Sequence, residues 1–182
     1  RILNIACATC PRRGTCNNKC EFIGATEALG NVDANIWLID MSEQEMGQRI
    51  QKLRTPTWTW ISRVSSPFFN EDETQLWEKG YKDRVINSYQ RMLERLRGRE
   101  PHIWRVLIDE RNTIMAARLA WIASDELSKD RKPNILALVG AAHVEGMRNL
   151  LQNPIDIKEN LQRLNLSFTP PTLIRRISIA GD

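Results

Sequence analysis

Two short apolar runs and one partly alternating segment stand out along the chain. The first run covers residues 35–40 and ends in an acidic side chain, and the second covers residues 134–139 and is followed by Gly140. Continuous apolar runs of this length are typical of strands that are buried on both faces. Residues 172–179 alternate in part between apolar and polar side chains. The pattern therefore predicts three strands at these positions.

Capping signals and helix breakers divide the rest of the chain into helices. Ser42 and Glu45 form a capping box, which predicts a helix that continues to about residue 53. Pro101 suits the first turn of a long helix that should run to about residue 127. Further helices are expected to begin near residue 70 and to cover residues 81–97 and 143–151, with a loop or broken helix over residues 56–67.

The order of these elements predicts an α/β fold. A strand is followed by several helices, a second strand, a helix and a final strand. Buried strands joined by helical crossovers imply a layered sheet with at least partly parallel strands, flanked by helices. The 182 residues are enough for one domain with a sizeable core. We therefore expect a Cys-rich N-terminal loop over residues 1–25 and an α/β domain over residues 26–182.

Composition and charge narrow the possible functions. Hydrophobic residues make up 42% and charged residues 26% of the chain, as in ordinary globular proteins. No apolar run approaches the roughly 20 residues that a membrane-spanning helix needs, so we expect no membrane span. The net charge of +4 is spread without a basic block, so nucleic-acid binding is not expected. The first residue is Arg1 rather than Met, and a catalytic element could therefore lie upstream.

All the cysteines lie near the start of the chain, at Cys7, Cys10, Cys16 and Cys20. Their spacing, C-x2-C-x5-C-x3-C, would allow four thiolates to hold one zinc ion or one iron–sulfur cluster. The alternative is two disulfides that close a short loop, and reduced thiols are a third possibility. Bound metal would indicate the cytoplasm and disulfides an extracytoplasmic compartment, so the cysteines leave the localisation open.

Arg111 lies within the apolar stripe of the long predicted helix, whereas Glu110 beside it could face solvent. An inward guanidinium needs an anionic partner, because an unpaired buried charge is very costly. One alternative is a pocket in which Arg111 holds a carboxylate or an anionic intermediate. The others are a structural ion pair with Asp40, Glu27 or Asp109, or a side chain that snorkels past the edge of the stripe.

His143 follows the second predicted strand and a turn of small residues that begins at Gly140. Ligands of α/β sheets bind beyond the carboxyl ends of the strands, and glycine allows the backbone to turn closely there. The dipole of the following helix disfavours a cationic imidazole, which leaves a neutral ring suited to metal binding or base chemistry. The alternative is a helix-capping or core histidine. His102, the other histidine, lies at a helix start and is expected at the surface.

Two linked motifs resemble the TraB/PrgY family, which belongs to a superfamily with TIKI, ChaN-like and erythromycin-esterase-like proteins. They are DERNTIMA at residues 109–116 and LVGAAHVEGM at residues 138–147. Upstream, EALG at residues 27–30 and IWLID at residues 36–40 are similar to the family's glutamate-bearing helix and to its strand that ends in an acidic residue. The resemblance covers about residues 26–151.

The resemblance implies an α/β fold with its site at the strand ends. In TIKI-like members, two G-x-x-H motifs and a glutamate form the site of a metal-dependent hydrolase or peptidase. By this resemblance Gly140 and His143 form the second motif, with Gly140 at the turn beside a bound cofactor. Glu27 is the matching acid and Arg111 the helix arginine. His143 and Glu27 would then hold a divalent metal.

The sequence departs from the family pattern at two points. The first G-x-x-H motif is missing, because the chain has only two histidines and neither occupies it. Met41 stands where the family has an arginine after the strand aspartate. Either the missing strand belongs to an upstream segment, or this protein has lost the site. A strand supplied by another chain would imply obligate pairing. Three functions remain: a metal-assisted hydrolase of peptides or esters, a non-catalytic assembly or binding module, and a redox or cluster protein built on the cysteines.

Overall fold

The computed structural model describes residues 34–53, 79–80 and 82–177. The Cys-rich loop, Glu27, the predicted loop over residues 56–67 and the helix start near residue 70 all lie outside the described residues. The chain divides into two compact units, of which the first combines residues 1–38 with 172–182 and the second is residues 39–171. Each unit is built differently.

The first unit contains a two-stranded antiparallel sheet made of β1 (Ala34–Leu38) and β2 (Thr172–Ile177). The pairing shifts between Ile36 and Trp37, and the extra residue on β2 makes a β-bulge. Both strands lie where the apolar pattern predicts them, but they run antiparallel, so the predicted parallel pairing is wrong. A run of apolar side chains indicates that a segment is extended, whereas the direction of pairing depends on how the intervening chain returns.

The second unit is helical in its described part, and two of its helices begin at the predicted capping signals, Ser42 with Glu45 and Pro101. In the capping box, the amide of Glu45 donates to Ser42 Oγ at 3.1 Å and the amide of Ser42 donates to Glu45 Oε2 at 2.7 Å. Pro101 occupies the first turn of its helix, where the missing N–H costs no hydrogen bond. The helices are α1 (Glu43–Gln51), α2 (Lys82–Arg99), α3 (Pro101–Trp104), α4 (Arg111–Ser128), α5 (Ala141–Gln152) and α6 (Pro154–Arg163), with a π-helical segment over Arg105–Glu110 between α3 and α4.

The strand predicted over residues 134–139 is absent, which corrects the predicted fold class. This segment has no regular structure, and Ile135, Leu136 and Leu138 are 41%, 95% and 50% exposed. A strand forms only when its main-chain groups pair with a neighbour, and within the described residues the two strands pair with each other. The described chain is therefore mostly helical with a two-stranded antiparallel sheet, and the predicted layered sheet with parallel strands is wrong.

The core of the second unit is built around α4. One cluster joins α4 to α5 and α6, and another joins α4 to α5 alone. Each buried aliphatic or methionine side chain stabilises the packing by about 1.5–3 kcal/mol relative to exposure. Because the same two helices carry Arg111 and His143, this packing fixes the distance between those residues. The first cluster consists of Ala116, Ala117, Leu150 and Ile157. The second consists of Met115, Leu119 and Met147, and Ile39 and Val139 pack against it.

Candidate functional site

Three consecutive residues, Glu110, Arg111 and Asn112, lie where the π-helical segment meets α4. A π-helical turn adds a residue to the helical repeat, and such turns often occur at functional sites. Each of the three side chains bonds to a different part of the second unit. Their partners are Arg49 of α1, Asp40 in the segment before α1, and His143 of α5.

Glu110 is fully buried, so the interpretation that it could face solvent is wrong. Arg49 donates to both carboxylate oxygens, from Nε at 2.7 Å and from Nη2 at 2.8 Å. The hydrogen bonds to Glu110 raise the pKa of Arg49 against the opposing effect of its burial. Arg49 also donates to the carbonyl oxygens of Leu164 and Asn165, at 2.8 and 3.3 Å. One guanidinium thus connects α1, the start of α4 and the end of α6.

Arg111 pairs with Asp40, which is one of the structural partners that the sequence suggests. Its Nε donates to Asp40 Oδ1 at 3.0 Å and its Nη2 to Oδ2 at 2.6 Å, which is the planar two-bond geometry of a strong pair. Burial would raise the pKa of Asp40, but the hydrogen bonds and charge of Arg111 outweigh it and hold that pKa below its usual value. Asp109, another suggested partner, instead accepts from the indole of Trp104 at 3.1 Å.

The main chain at Asp40 is held by a second arginine of α4. Arg118 is 6% exposed and donates to the carbonyl oxygens of Ile39 and Asp40. It also donates two hydrogen bonds to Thr169, from Nε to the carbonyl oxygen at 3.1 Å and from Nη2 to Oγ1 at 2.7 Å. Arg118 is not among the site residues that the sequence predicts, although a signal for it is present. It lies seven residues after Arg111, and that spacing places the two side chains on the same face of the helix.

His143 is 5% exposed in the first turn of α5, and its Nδ1 lies 2.7 Å from Oδ1 of the buried Asn112. Burial, with a further contribution from the positive charge of Arg111 and against the opposing charge of Asp40, lowers the pKa of His143 to about 4. The imidazole is therefore neutral at pH 7. The prediction of a neutral ring rested on the helix dipole, whereas burial is the main cause. His102 is exposed, as predicted.

The glycine that the packing requires is Gly146 rather than Gly140. A Cβ atom at Gly140 would lie 3.6 Å from His143 Cδ2, which is an ordinary contact. A Cβ atom at Gly146 would lie only 2.2 Å from Asn112 Nδ2, closer than real atoms approach. Gly140 precedes α5, and its carbonyl oxygen accepts from the amide of His143 at 2.9 Å.

Three of the predicted site residues, His143, Arg111 and Gly140, lie in the described part of the chain, and the charge of Arg111 acts on His143. Glu27 and the cysteines lie outside the described residues. Within the described ranges there is no group of three or more His, Cys, Asp and Glu residues that could hold a metal ion. No helix in that same part of the chain is long and apolar enough to span a membrane.

The fold and site define a helical domain whose buried polar residues converge on the start of one central helix. A sequence profile of the TraB/PrgY/gumN family matches residues 37–154, which is well over half of the chain. The chain therefore belongs to the TraB/PrgY/gumN family, as the linked motifs indicate. Asp40, Arg111, Asn112 and His143 all lie within the matched region.

A relative in Methanocaldococcus jannaschii, described as an uncharacterized protein, is 37% identical over 95 residues. The aligned part is 50% of this chain and 22% of the relative, so the chain matches about a fifth of that protein's length. No solved structure matches the chain significantly.

Proposed function

We propose that this TraB-family domain is a metal-dependent hydrolase of peptides or esters, with His143 as a metal ligand. The observation that carries the proposal is the state of the imidazole. It is buried and neutral, and its Nδ1 is engaged by Asn112. Among the described residues Nε2 has no hydrogen-bond partner, and a neutral imidazole nitrogen of this kind is the commonest metal ligand in proteins.

A divalent metal is the ligand that we propose for the neutral imidazole of His143. Neutral imidazole and carboxylate are the ligands of hydrolytic zinc sites, and the proposed carboxylate is Glu27. A metal bound there would act as a Lewis acid that polarises the scissile carbonyl group. Gly140 lies at the turn beside the histidine and would leave room for a bound group.

The other polar residues of the site would handle charge and orientation. Arg111 lies close enough to His143 to lower its pKa, and its side chain is 24% exposed. It would stabilise negative charge that develops on the substrate. Asp40 holds the guanidinium in place through two hydrogen bonds, and Arg118 holds the main chain at Asp40. The helix arginine is thus fixed before substrate binds, so no energy is spent on reorienting it.

Metal binding to variants tests this proposal. Mn²⁺ is the probe, because thiolates such as those of the cysteines bind it poorly while imidazole and carboxylate accept it. We expect the purified chain to bind Mn²⁺ in titration calorimetry and to lose that binding in His143→Ala, with its circular dichroism retained. His102→Ala removes the exposed histidine and should bind as the parent does. Equal binding by the parent and His143→Ala would contradict the proposal.

The cysteines carry a separate proposal, a structural zinc or iron–sulfur site at Cys7, Cys10, Cys16 and Cys20. Two disulfides remain the alternative. Metal content measured beside a thiol titration separates the two: bound zinc or iron supports the site, and absence of both metal and free thiols supports the disulfides. The same result bears on the compartment in which the protein works.

A second candidate function is a non-catalytic module that assembles into multimers. It is favoured by the exposed apolar segment at residues 134–139, in which Leu136 is 95% exposed. Monomeric proteins seldom leave contiguous apolar surface of this kind uncovered. This candidate predicts no metal binding at His143 and a multimer in light scattering that persists in His143→Ala. A hydrolase predicts that metal binding depends on that residue.

A further inference from the structure

The contact between Asn112 and His143 determines which ring nitrogen carries the hydrogen. The carboxamide oxygen of Asn112 lies 2.7 Å from Nδ1. An amide oxygen can only accept a hydrogen bond, so Nδ1 must donate. In a neutral imidazole the other nitrogen, Nε2, then holds the free lone pair. Both side chains are buried, at 5% exposed each, so water does not compete freely for either group.

The orientation of the Asn112 amide depends in turn on Gly146. A Cβ atom at that position would lie 2.2 Å from Nδ2 and 3.0 Å from Cγ of Asn112. The missing side chain therefore makes the space that the amide group occupies. Gly146 lies three residues after His143, and this spacing places both on the same face of α5. One helix face thus supplies the imidazole and the space for the group that orients it.

We infer that Asn112 and Gly146 are positioning residues, which together hold His143 as the Nδ1–H tautomer and present Nε2 to the ligand. The inference rests on the proposed function for the identity of that ligand, a divalent metal. The hydrogen bond at the far nitrogen fixes both the tautomer and the plane of the ring, which is what outer partners do for metal-binding histidines. Neither residue needs to touch the metal or the substrate.

The tautomer can be read directly, without metal and without activity. Histidine labelled with ¹⁵N in the chelator-treated protein reports whether each ring nitrogen is protonated. We expect the parent protein to show a protonated Nδ1 and an unprotonated Nε2 at His143. Asn112→Leu removes the acceptor at similar volume and should release the ring to the Nε2–H form. Asn112→Asp restores an acceptor and should restore the Nδ1–H form.

Gly146→Ala provides a second route to the same result. Its Cβ would displace the amide of Asn112, so the tautomer should change as in Asn112→Leu. In an Asn112→Ala background, the added Cβ meets no amide group. Alanine also has a higher helix propensity than glycine, so Gly146→Ala should raise the stability of that variant instead of lowering it. That reversal of sign is the expected mark of direct coupling between the two positions.

The outcomes separate this inference from the proposed function. An Nε2–H ring in the parent protein would overturn the inference, as would Gly146→Ala acting equally in both backgrounds. An Nδ1–H ring in a chain that binds no Mn²⁺ would overturn the proposed function and leave the positioning inference standing. Where metal binds, Asn112→Leu should weaken the affinity about 10- to 100-fold, and Asn112→Asp should recover much of it.

Discussion

Glu110, Arg111 and Asn112 are neighbours in sequence, yet their partners lie on three different elements. Successive side chains on a helix point in directions about 100° apart, so three in a row can reach three surroundings. Here those surroundings are Arg49 of α1, Asp40, and His143 of α5. The start of α4 is therefore a junction of polar contacts inside an otherwise apolar core, and each contact should be costly to break.

Glu110 should contribute most to stability among these three. Glu110→Gln leaves the Arg49 guanidinium facing a neutral amide in a site where the carboxylate is fully buried. Removing one partner of a buried ion pair destabilises by about 3–5 kcal/mol, so we expect a loss near the lower figure because Arg49 is partly exposed. Urea unfolding measures it.

The control for that substitution is Glu145→Gln. Glu145 forms a pair with Arg148 at 3.8 Å, and both side chains are largely exposed. Exposed pairs of this kind contribute about 0–1 kcal/mol, so the midpoint of unfolding should hardly move. If Glu110→Gln and Glu145→Gln behaved alike, the buried pair would not have the structural role given to it.

His143 should make the free energy of unfolding depend on pH. Its pKa is about 4 in the folded chain, against about 6.5 for an unfolded one. Between these values the unfolded chain binds a proton that the folded chain does not, so stability falls as the pH falls from about 6.5 to about 4. Each unit corresponds to about 1.4 kcal/mol, so the full loss is on the order of 3 kcal/mol.

Unfolding curves of chelator-treated protein, recorded across that pH range, test this prediction. His143→Asn should flatten the dependence between about pH 6.5 and 4, whatever it does to stability at pH 7. His102→Asn changes the exposed histidine and should follow the parent. Asp40 adds its own loss of stability at lower pH, since its pKa is lowered in the folded chain. For that reason the difference between variants is the informative quantity, and identical slopes would contradict the assignment.

At the scale of elements, the packing of α4 against α5 holds the two halves of the site at a fixed separation. Met147 of α5 is 4% exposed and packs with Met115 and Leu119 of α4. Asn112 and His143, on the same two helices, can form their hydrogen bond only while this contact is intact. Packing and polar contacts are therefore coupled through the helix pair.

Met147→Ala should weaken this helix pair. Truncating a buried methionine costs about 2–5 kcal/mol, because apolar burial is lost and a cavity remains. Val144→Ala on the same helix is the matched control, since Val144 is 52% exposed and should change little. Thermal unfolding compares the two variants with the parent. Equal shifts for both would mean that the face of α5 carrying Met147 does not form the core contact.

Helix boundaries were accessible from the sequence because their signals are local. Ser42 with Glu45 marks the start of α1, and Pro101 marks the start of α3, within a few residues of the groups that they satisfy. Glu110 shows the limit of such reasoning. Arg105, five residues earlier, forms an ion pair with it at 3.5 Å. Its closer partner Arg49 lies 61 residues away, and nothing in the local sequence indicates that contact.

At the scale of the whole molecule, the sequence located the strands of the sheet but not their arrangement. The apolar runs at residues 35–40 and 134–139 look alike, yet the first forms β1 and the second forms no strand. Strand pairing depends on which other segment of main chain lies beside the strand, and residues far away in the sequence determine that. The residues of the candidate site are predictable only in part for the same reason. The sequence named Arg111, Asp40 and His143, but the contacts of Asn112, Arg118 and Gly146 appear only when the helices are packed.

The contacts of Arg118 bear on whether the unit formed by residues 39–171 can be moved into another protein. The carbonyl groups that it binds belong to Ile39, Asp40 and Thr169, close to the first and last residues of the unit formed by residues 39–171. Both ends of that unit therefore contact the side chain of Arg118. Segments with adjacent ends can be transplanted into a surface loop of a host protein, or circularly permuted, without stretching the chain. Domain boundaries for such an experiment would therefore lie just before Ile39 and just after Pro171.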